Sequence, residues 1–258
     1  MDFTISIYKE LLSSLLESGY KFKTLSDFFI EHDDFEKIII IRNDIDLLPQ
    51  SALIFANIQA EMGIKSSFYF RSIDESWDEN IINKINFLGH EIGYHYENMD
   101  TANGNIDLAW KDFNKNLKRF KKLAEIKTIC MHGSPKSKYD NREIWLKYDY
   151  KELGIIAEPY YDINFDDFFY LTDTGRKWDG WKSSVRDKVP QQKEWIKRGL
   201  VFHSTKDIIN TNEQGLLPSK ILFNFHPQRW HEKKIPWFKE LILQSIKNQI
   251  KKLIISNS

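Results

Sequence analysis

Residues 37–46 read Lys-Ile-Ile-Ile-Ile-Arg-Asn-Asp-Ile-Asp, and this stretch decides the fold class. The apolar run over 37–41 stops at two carboxylates, Asp44 and Asp46, spaced i, i+2. In a strand that spacing puts both on one face. A strand that ends in aimed carboxylates is where α/β enzymes keep their chemistry. Two further apolar runs end in histidine: Ile92-Gly93-Tyr94-His95, and Ile221-Leu222-Phe223-Asn224-Phe225-His226 before Pro227. Acid, acid, His and His at successive strand ends point to a metal hydrolase.

Working outward, residues 5–18 carry Tyr8, Leu11, Leu12, Leu15 and Leu16 at helical spacing, stopped by Gly19. A short helix over 25–31 has Thr24 or Ser26 as its cap. Strands are predicted at 37–42, 66–71, 91–96, 127–131 and 221–225, with helices at 49–62, 78–88, 106–123 and 236–253. Shorter apolar runs stand at 154–157, 168–172 and 199–203, around a Trp- and Gly-bearing loop over 173–181. Alternating strands and helices argue for parallel βαβ units. Seven or eight strands argue for an α/β fold, a distorted (β/α) barrel. The alternative is a flavodoxin-like open sheet. No repeat or linker divides the chain, so one domain over 1–258 is expected, with 1–36 as N-terminal helices packed on the barrel.

Composition narrows the function. Lys plus Arg and Asp plus Glu balance at 37 each, so no basic field exists to hold a nucleic acid backbone. The lysines at 247–252 read as a solvated helix face. Cys130 is the only cysteine, which excludes an intrachain disulfide and fits a reducing compartment. The N-terminus lacks a basic, apolar leader, and no run is long enough to span a bilayer. A cytoplasmic protein is the expectation. Aromatic content of 14% serves either a core or a sugar site.

Each candidate residue has a chemical and a structural reading. Asp44 and Asp46 read as a general base and a metal ligand, or as salt-bridge partners of Arg42 two residues earlier. His95 reads as a ligand, imidazole being the commonest one for zinc-like metals. Glu97 shares its strand face and offers an oxygen. His90 reads as a turn-fixing side chain. His132, before Gly133 and Pro135, is a third ligand, a substrate contact or a semi-buried histidine. His226, held by Pro227, suits a general acid. Asp173 could orient a histidine or bind a sugar hydroxyl. Trp178 and Trp230 stack on a pyranose or fill the core. Arg142 clamps a substrate or pairs with Asp140. His32, His203 and His231 are less telling. Arg71, Arg176 and Arg229 complete the candidate substrate contacts.

These segments resemble the NodB-type polysaccharide deacetylases, carbohydrate esterases that remove N-acyl groups from amino sugars. The likeness is to the branch whose first motif reads Arg-His-Asp-Val-Asp, here Arg42-Asn43-Asp44-Ile45-Asp46. Residues 89–97 resemble the Gly-His-Glu-Ile-Gly-x-His motif. Residues 131–135, 170–178 and 226–230 also look like that branch. The resemblance implies a distorted (β/α) barrel with the site at the strand C-termini. It implies Asp44 as base, Asp46 and His95 as metal ligands, and His226 as general acid. The metal would be Zn2+, with Co2+, Mn2+ or Ni2+ as alternatives. Met99 stands where other members carry a second metal histidine. His132 or Glu97 must therefore complete the ligand set, or the metal is lost. Asn43 replaces the branch's His, and His132 occupies the region of an arginine-bearing third motif.

The expected activity is metal-dependent removal of an acetyl or formyl group from an amino sugar in surface polysaccharide or nucleotide-sugar biosynthesis. The rivals are a sugar-binding relative that has lost its metal and a metal phosphoesterase.

Overall fold

The computed structural model describes residues 1–31, 36–134, 137–178 and 189–256, with the backbone alone for 251–256. His32 and the expected loop beyond residue 178 lie outside the described residues. The elements in chain order are α1 (Ile5–Glu17), β1 (Lys21–Lys23), α2 (Leu25–Ile30), β2 (Ile38–Ile45), α3 (Pro49–Glu61), β3 (Ser67–Phe70), α4 (Glu79–Phe87), β4 (Glu91–Tyr96), α5 (Asn98–Thr101), α6 (Ile106–Phe120), β5 (Ile129–Met131), α7 (Pro159–Asp162), β6 (Phe169–Thr172), α8 (Gln192–Lys197), α9 (Thr205–Glu213), β7 (Lys220–Phe225) and α10 (Lys234–Ser256).

The chain forms two compact units. Unit 1 comprises Met1–Phe22, Asp34–Ile39 and Asn164–Ser258; unit 2 comprises Lys23–Asp33 and Ile40–Ile163. Strand β2 passes from one into the other. The strand order is β5-β4-β3-β2 in unit 2 and β7-β6 in unit 1.

In unit 2, β2, β3, β4 and β5 pair in parallel, with Asp44 opposite Tyr69, Tyr69 opposite Gly93, and His95 opposite Cys130. Every residue of β2 is buried, the mark of a strand covered on both faces. It runs three residues beyond the expected end at Arg42, so Asp44 belongs to the ladder. Helix α6 buries Ala109, Phe113, Leu117 and Phe120, the stripe its sequence spacing requires. Asn105 caps it, accepting from Leu108 N–H at 3.0 Å.

A glycine fixes the packing of the central strands. A Cβ on Gly93 would lie 2.3 Å from Cε1 of Tyr69 and 3.0 Å from the Thr128 carbonyl oxygen. The Tyr69 ring fills that space, and its hydroxyl lies 2.7 Å from the Thr128 hydroxyl. Thr128 in turn donates to half-buried Glu91, which also accepts from Ser67 Oγ at 2.6 Å.

In unit 1, β6 and β7 pair in parallel with Thr172 opposite Asn224, and Ile38 N–H donates to the Ser219 carbonyl. The run at 199–203 forms no strand. It leads instead into α9, which sequence reading did not anticipate. Ser204 and Asp207 build a capping box there, a Ser-x-x-Asp signal readable in the chain. The run at 154–157 contributes only an isolated bridge between Ala157 and Thr128. The α/β class agrees with expectation; the seven strands among the described residues include β1, which was not expected, and lack those expected at 154–157 and 199–203.

Candidate metal centre

The site in unit 2 is built at the C-terminal ends of adjacent parallel strands. Asp44 is the penultimate residue of β2 and Asp46 follows its end. His95 stands in β4 and His132 immediately after β5, where its N–H continues the ladder onto the Tyr96 carbonyl at 2.8 Å. Parallel pairing puts like ends side by side, which brings these residues together.

Both imidazoles are fixed through Nδ1. His95 Nδ1 lies 3.0 Å from the Cys130 carbonyl, and His132 Nδ1 lies 3.0 Å from Glu97 Oε2. A carbonyl or carboxylate oxygen only accepts, so both Nδ1 atoms carry a proton, and a neutral ring in either place presents its lone pair at Nε2. Each Nε2 lies 3.7 Å from the same oxygen, Asp46 Oδ1. The rings stand 5.2 Å apart at 77°. Two imidazoles and a carboxylate, with Nδ1 of each ring held by an oxygen acceptor, are residue types suited to a zinc-like divalent ion.

The electrostatics agree. Burial, opposed by the Asp44 and Asp46 carboxylates, lowers the His95 pKa to about 4, so the ring is neutral at pH 7. Burial alone would raise the Glu97 pKa, but hydrogen bonds from His132 and Arg71 hold it down at about 2. Arg71 grips Glu97 with Nε at 3.1 Å and Nη2 at 2.6 Å, and its Nη1 reaches the Asp46 carbonyl at 3.2 Å. Arg71 and Glu97 thus brace the centre from behind.

Asp44 is buried, and Arg42 donates to its Oδ2 at 3.1 Å. The salt bridge offered as a structural reading of the motif therefore forms. Tyr160 helps hold the guanidinium, with its hydroxyl 3.2 Å from Arg42 Nη2. The other oxygen, Asp44 Oδ1, accepts no hydrogen bond among the described residues. Asn43 faces the opposite way and donates to Ser66 Oγ at 3.0 Å, a structural tie.

Among the described residues, the three donor atoms that all lie within 4.8 Å of one another come from Asp44, His95 and Cys130. The guanidinium at 3.1 Å from Asp44 opposes a cation there, and we favour the set on Asp46. Met99 is buried and its N–H donates to Asn141 Oδ1 at 2.9 Å. Beside Glu97 a groove of about 530 Å³ is lined by Asn98, Asp112, Lys115, Asn116 and Arg119. His90 does fix a turn: its ring lies 3.3 Å from Ser66 N–H and 2.9 Å from the Ala56 carbonyl. Arg142 pairs with Asp140 at 2.6 Å.

Unit 1 holds a separate constellation. Asp173, fully buried, accepts from His226 Nδ1 at 2.6 Å, His226 N–H at 2.9 Å, Trp230 Nε1 at 2.7 Å and Arg229 Nη1 at 3.1 Å. Burial alone would raise its pKa; the charges and hydrogen bonds of His226 and Arg229 hold it below the usual carboxylate range. Of the two readings of Asp173, orienting a histidine is the one its geometry fits. Trp178 and Trp230 are each 2% exposed. Both rings pack with Phe3 and Phe225, the core reading of these residues. Arg176 donates to the Trp237 carbonyl at 3.0 Å and is held inside the unit. His203 is exposed.

No family model and no curated protein matches the chain. Among solved structures it is similar to a CE4 family pseudoenzyme from Bacillus anthracis, with 11% identity over 83% of this chain and 61% of that one, and a TM-score of 0.45. The chain thus spans less than two thirds of that protein's length. It is also similar to a peptidoglycan N-acetylglucosamine deacetylase, with 15% identity over 84% of each chain and a TM-score of 0.44. A family 4 carbohydrate esterase from Bacillus anthracis shares 14% identity over 97% of this chain and 90% of that one, with a TM-score of 0.40. No helix among the described residues is long and apolar enough to cross a membrane.

Proposed function

We propose that this chain is a metal-dependent hydrolase that removes an N-acyl group from an amino sugar. The supporting observation is the convergence of His95 Nε2 and His132 Nε2 on Asp46 Oδ1, 3.7 Å from each. Asp46, His95 and His132 would hold a divalent ion, Zn2+ first, which when bound supplies Lewis acidity and acidifies water. His132 takes the place left by Met99. Asp44 is the proposed base: it faces His95 at 3.8 Å, and its Oδ1 has a lone pair to take the proton of an attacking water. His226, which Asp173 orients within unit 1, is the general acid that the sequence motifs imply. The sequence motifs supply the substrate class. The groove beside Glu97, lined with donors and acceptors, suits a polyhydroxylated ligand.

A second reading is a sugar-binding relative without activity. The Arg42–Asp44 pair favours it, because the guanidinium occupies one oxygen of the candidate base. Purified protein is assayed for bound metal, then for release of acetate or formate from N-acylated hexosamines with zinc, cobalt, manganese or nickel. A single bound metal, lost in His95→Ala and His132→Ala, together with acyl release, supports the hydrolase. No metal and no release establishes the second reading. Preference for p-nitrophenyl phosphate over p-nitrophenyl acetate would make the chain a phosphoesterase.

A further inference from the structure

Helix α10 is amphipathic the wrong way round for a helix that serves only its own unit. Its buried side chains are polar: Gln244 and Asn248. Asn248 donates to the Gly175 carbonyl at 2.8 Å, and Trp237, at the same side of the helix, donates to the Asp2 carbonyl at 2.6 Å. Large apolar side chains of the same helix are turned away from the unit. Ile235 is 72% exposed, Ile242 60%, Ile246 55%, Ile250 53% and Phe238 52%. Their spacing of three and four residues makes one continuous stripe. Scattered exposed apolar residues are ordinary, but an unbroken stripe marks a surface that meets something else.

The charges on the helix say what that is. Lys234 and Lys247 are exposed beside the stripe, and Lys239 is exposed within it between Ile235 and Ile242. The single acid of α10, Glu240, accepts from Gln244 Nε2 at 2.7 Å and faces the Arg176 guanidinium of the same unit. The outward face is therefore apolar with a cationic margin. A second copy of the helix brings no exposed acid to meet these lysines. A surface of anionic lipid headgroups matches both features, since apolar side chains enter the acyl boundary while lysines stay at the headgroups.

We infer that α10 is a peripheral membrane anchor that lays its Ile235–Ile250 face on an anionic bilayer. Each lysine near such a surface adds about fivefold to the partition coefficient, so binding weakens with salt. The full chain is floated with vesicles of phosphatidylglycerol and phosphatidylcholine, and with phosphatidylcholine alone. Co-flotation with the anionic vesicles is expected, at least about tenfold above the neutral ones. Ile242→Glu with Ile246→Glu abolishes it while the far-UV circular dichroism and Tm stay unchanged, both residues being exposed. Lys239→Glu with Lys247→Glu removes the preference for anionic lipid. The inference is overturned if the wild-type chain stays in the soluble fraction, or if the isoleucine variant floats as well as the wild type. It is also overturned if light scattering shows a dimer that the isoleucine variant splits and no vesicle binding accompanies it.

Discussion

Glu97 Oε2 lies 3.0 Å from His132 Nδ1 and 2.6 Å from Arg71 Nη2, so one carboxylate fixes both the ring and the arginine behind it. The ring then has one tautomer and one orientation, with Nε2 turned to Asp46. A histidine supplied from a different strand can do the work of a missing motif histidine only if something holds it this way.

Glu97→Gln is therefore expected to weaken metal binding by about 10–100-fold. Competition against a chelator of known affinity reads this directly. An unchanged affinity would remove Glu97 from the centre and return His132 to a structural role.

Asp44→Asn keeps the shape of the base and removes its charge. Turnover should fall by about 10²–10⁴-fold with metal content preserved. Full activity in this variant, measured with metal content on the same sample, excludes Asp44 as the proton acceptor.

Gly93→Ala places a methyl group 2.3 Å from the Tyr69 ring. The cost is about 1–3 kcal/mol, because the ring is enclosed and tied to Thr128. Urea midpoints compare the two proteins, and a variant as stable as wild type would mean that Tyr69 moves freely.

Asp173→Ala leaves His226, Arg229 and Trp230 without their shared buried acceptor. The loss should be about 3–5 kcal/mol, seen as a lower Tm. A loss below about 1 kcal/mol would show that the constellation is not structurally coupled.

Glu158 carries a pH signature. Burial pushes its pKa up to about 7 from an ordinary 4.5, against the N–H groups of Met131 and Tyr160 that favour the carboxylate. A raised folded-state value means the folded protein holds the proton more tightly. Its contribution is complete below about pH 4.5 and is lost as pH rises through 7. His95, lowered to about 4, runs the opposite way, losing stability as pH falls through the same range. The comparison of wild type with Glu158→Gln isolates the first effect. Relative to the variant, the wild type should lose about 2 kcal/mol between pH 5 and pH 8. Parallel urea midpoints across that range would refute it.

Much of the frame was legible in the chain. Four isoleucines running into Arg42 mark a buried strand, and the α6 stripe marks a helix, because periodicity depends only on neighbours along the backbone. The regions read less well were those where one signal competed with another. Residues 199–203 are apolar like a strand but lead into α9, whose capping box at Ser204 was the better guide. The run at 154–157 has strand composition but pairs only at Ala157, since pairing needs a partner edge that sequence does not display. Candidate identities at the centre were also legible, since Asp46, His95 and His132 each stand at a strand end.

What the sequence determined by itself was the set of chemical groups and the strand ends that carry them. Residue type and local period are properties of the chain. Tertiary structure alone decided that His132 leans on Glu97, that Asp173 serves His226, that Trp178 lies in a core, and that α10 turns its apolar face outward. Each of these is a contact between segments distant in sequence, and such contacts exist only once strands are in register and helices are docked. Spacing limits which face a side chain can occupy; the packing across that face decides what it meets.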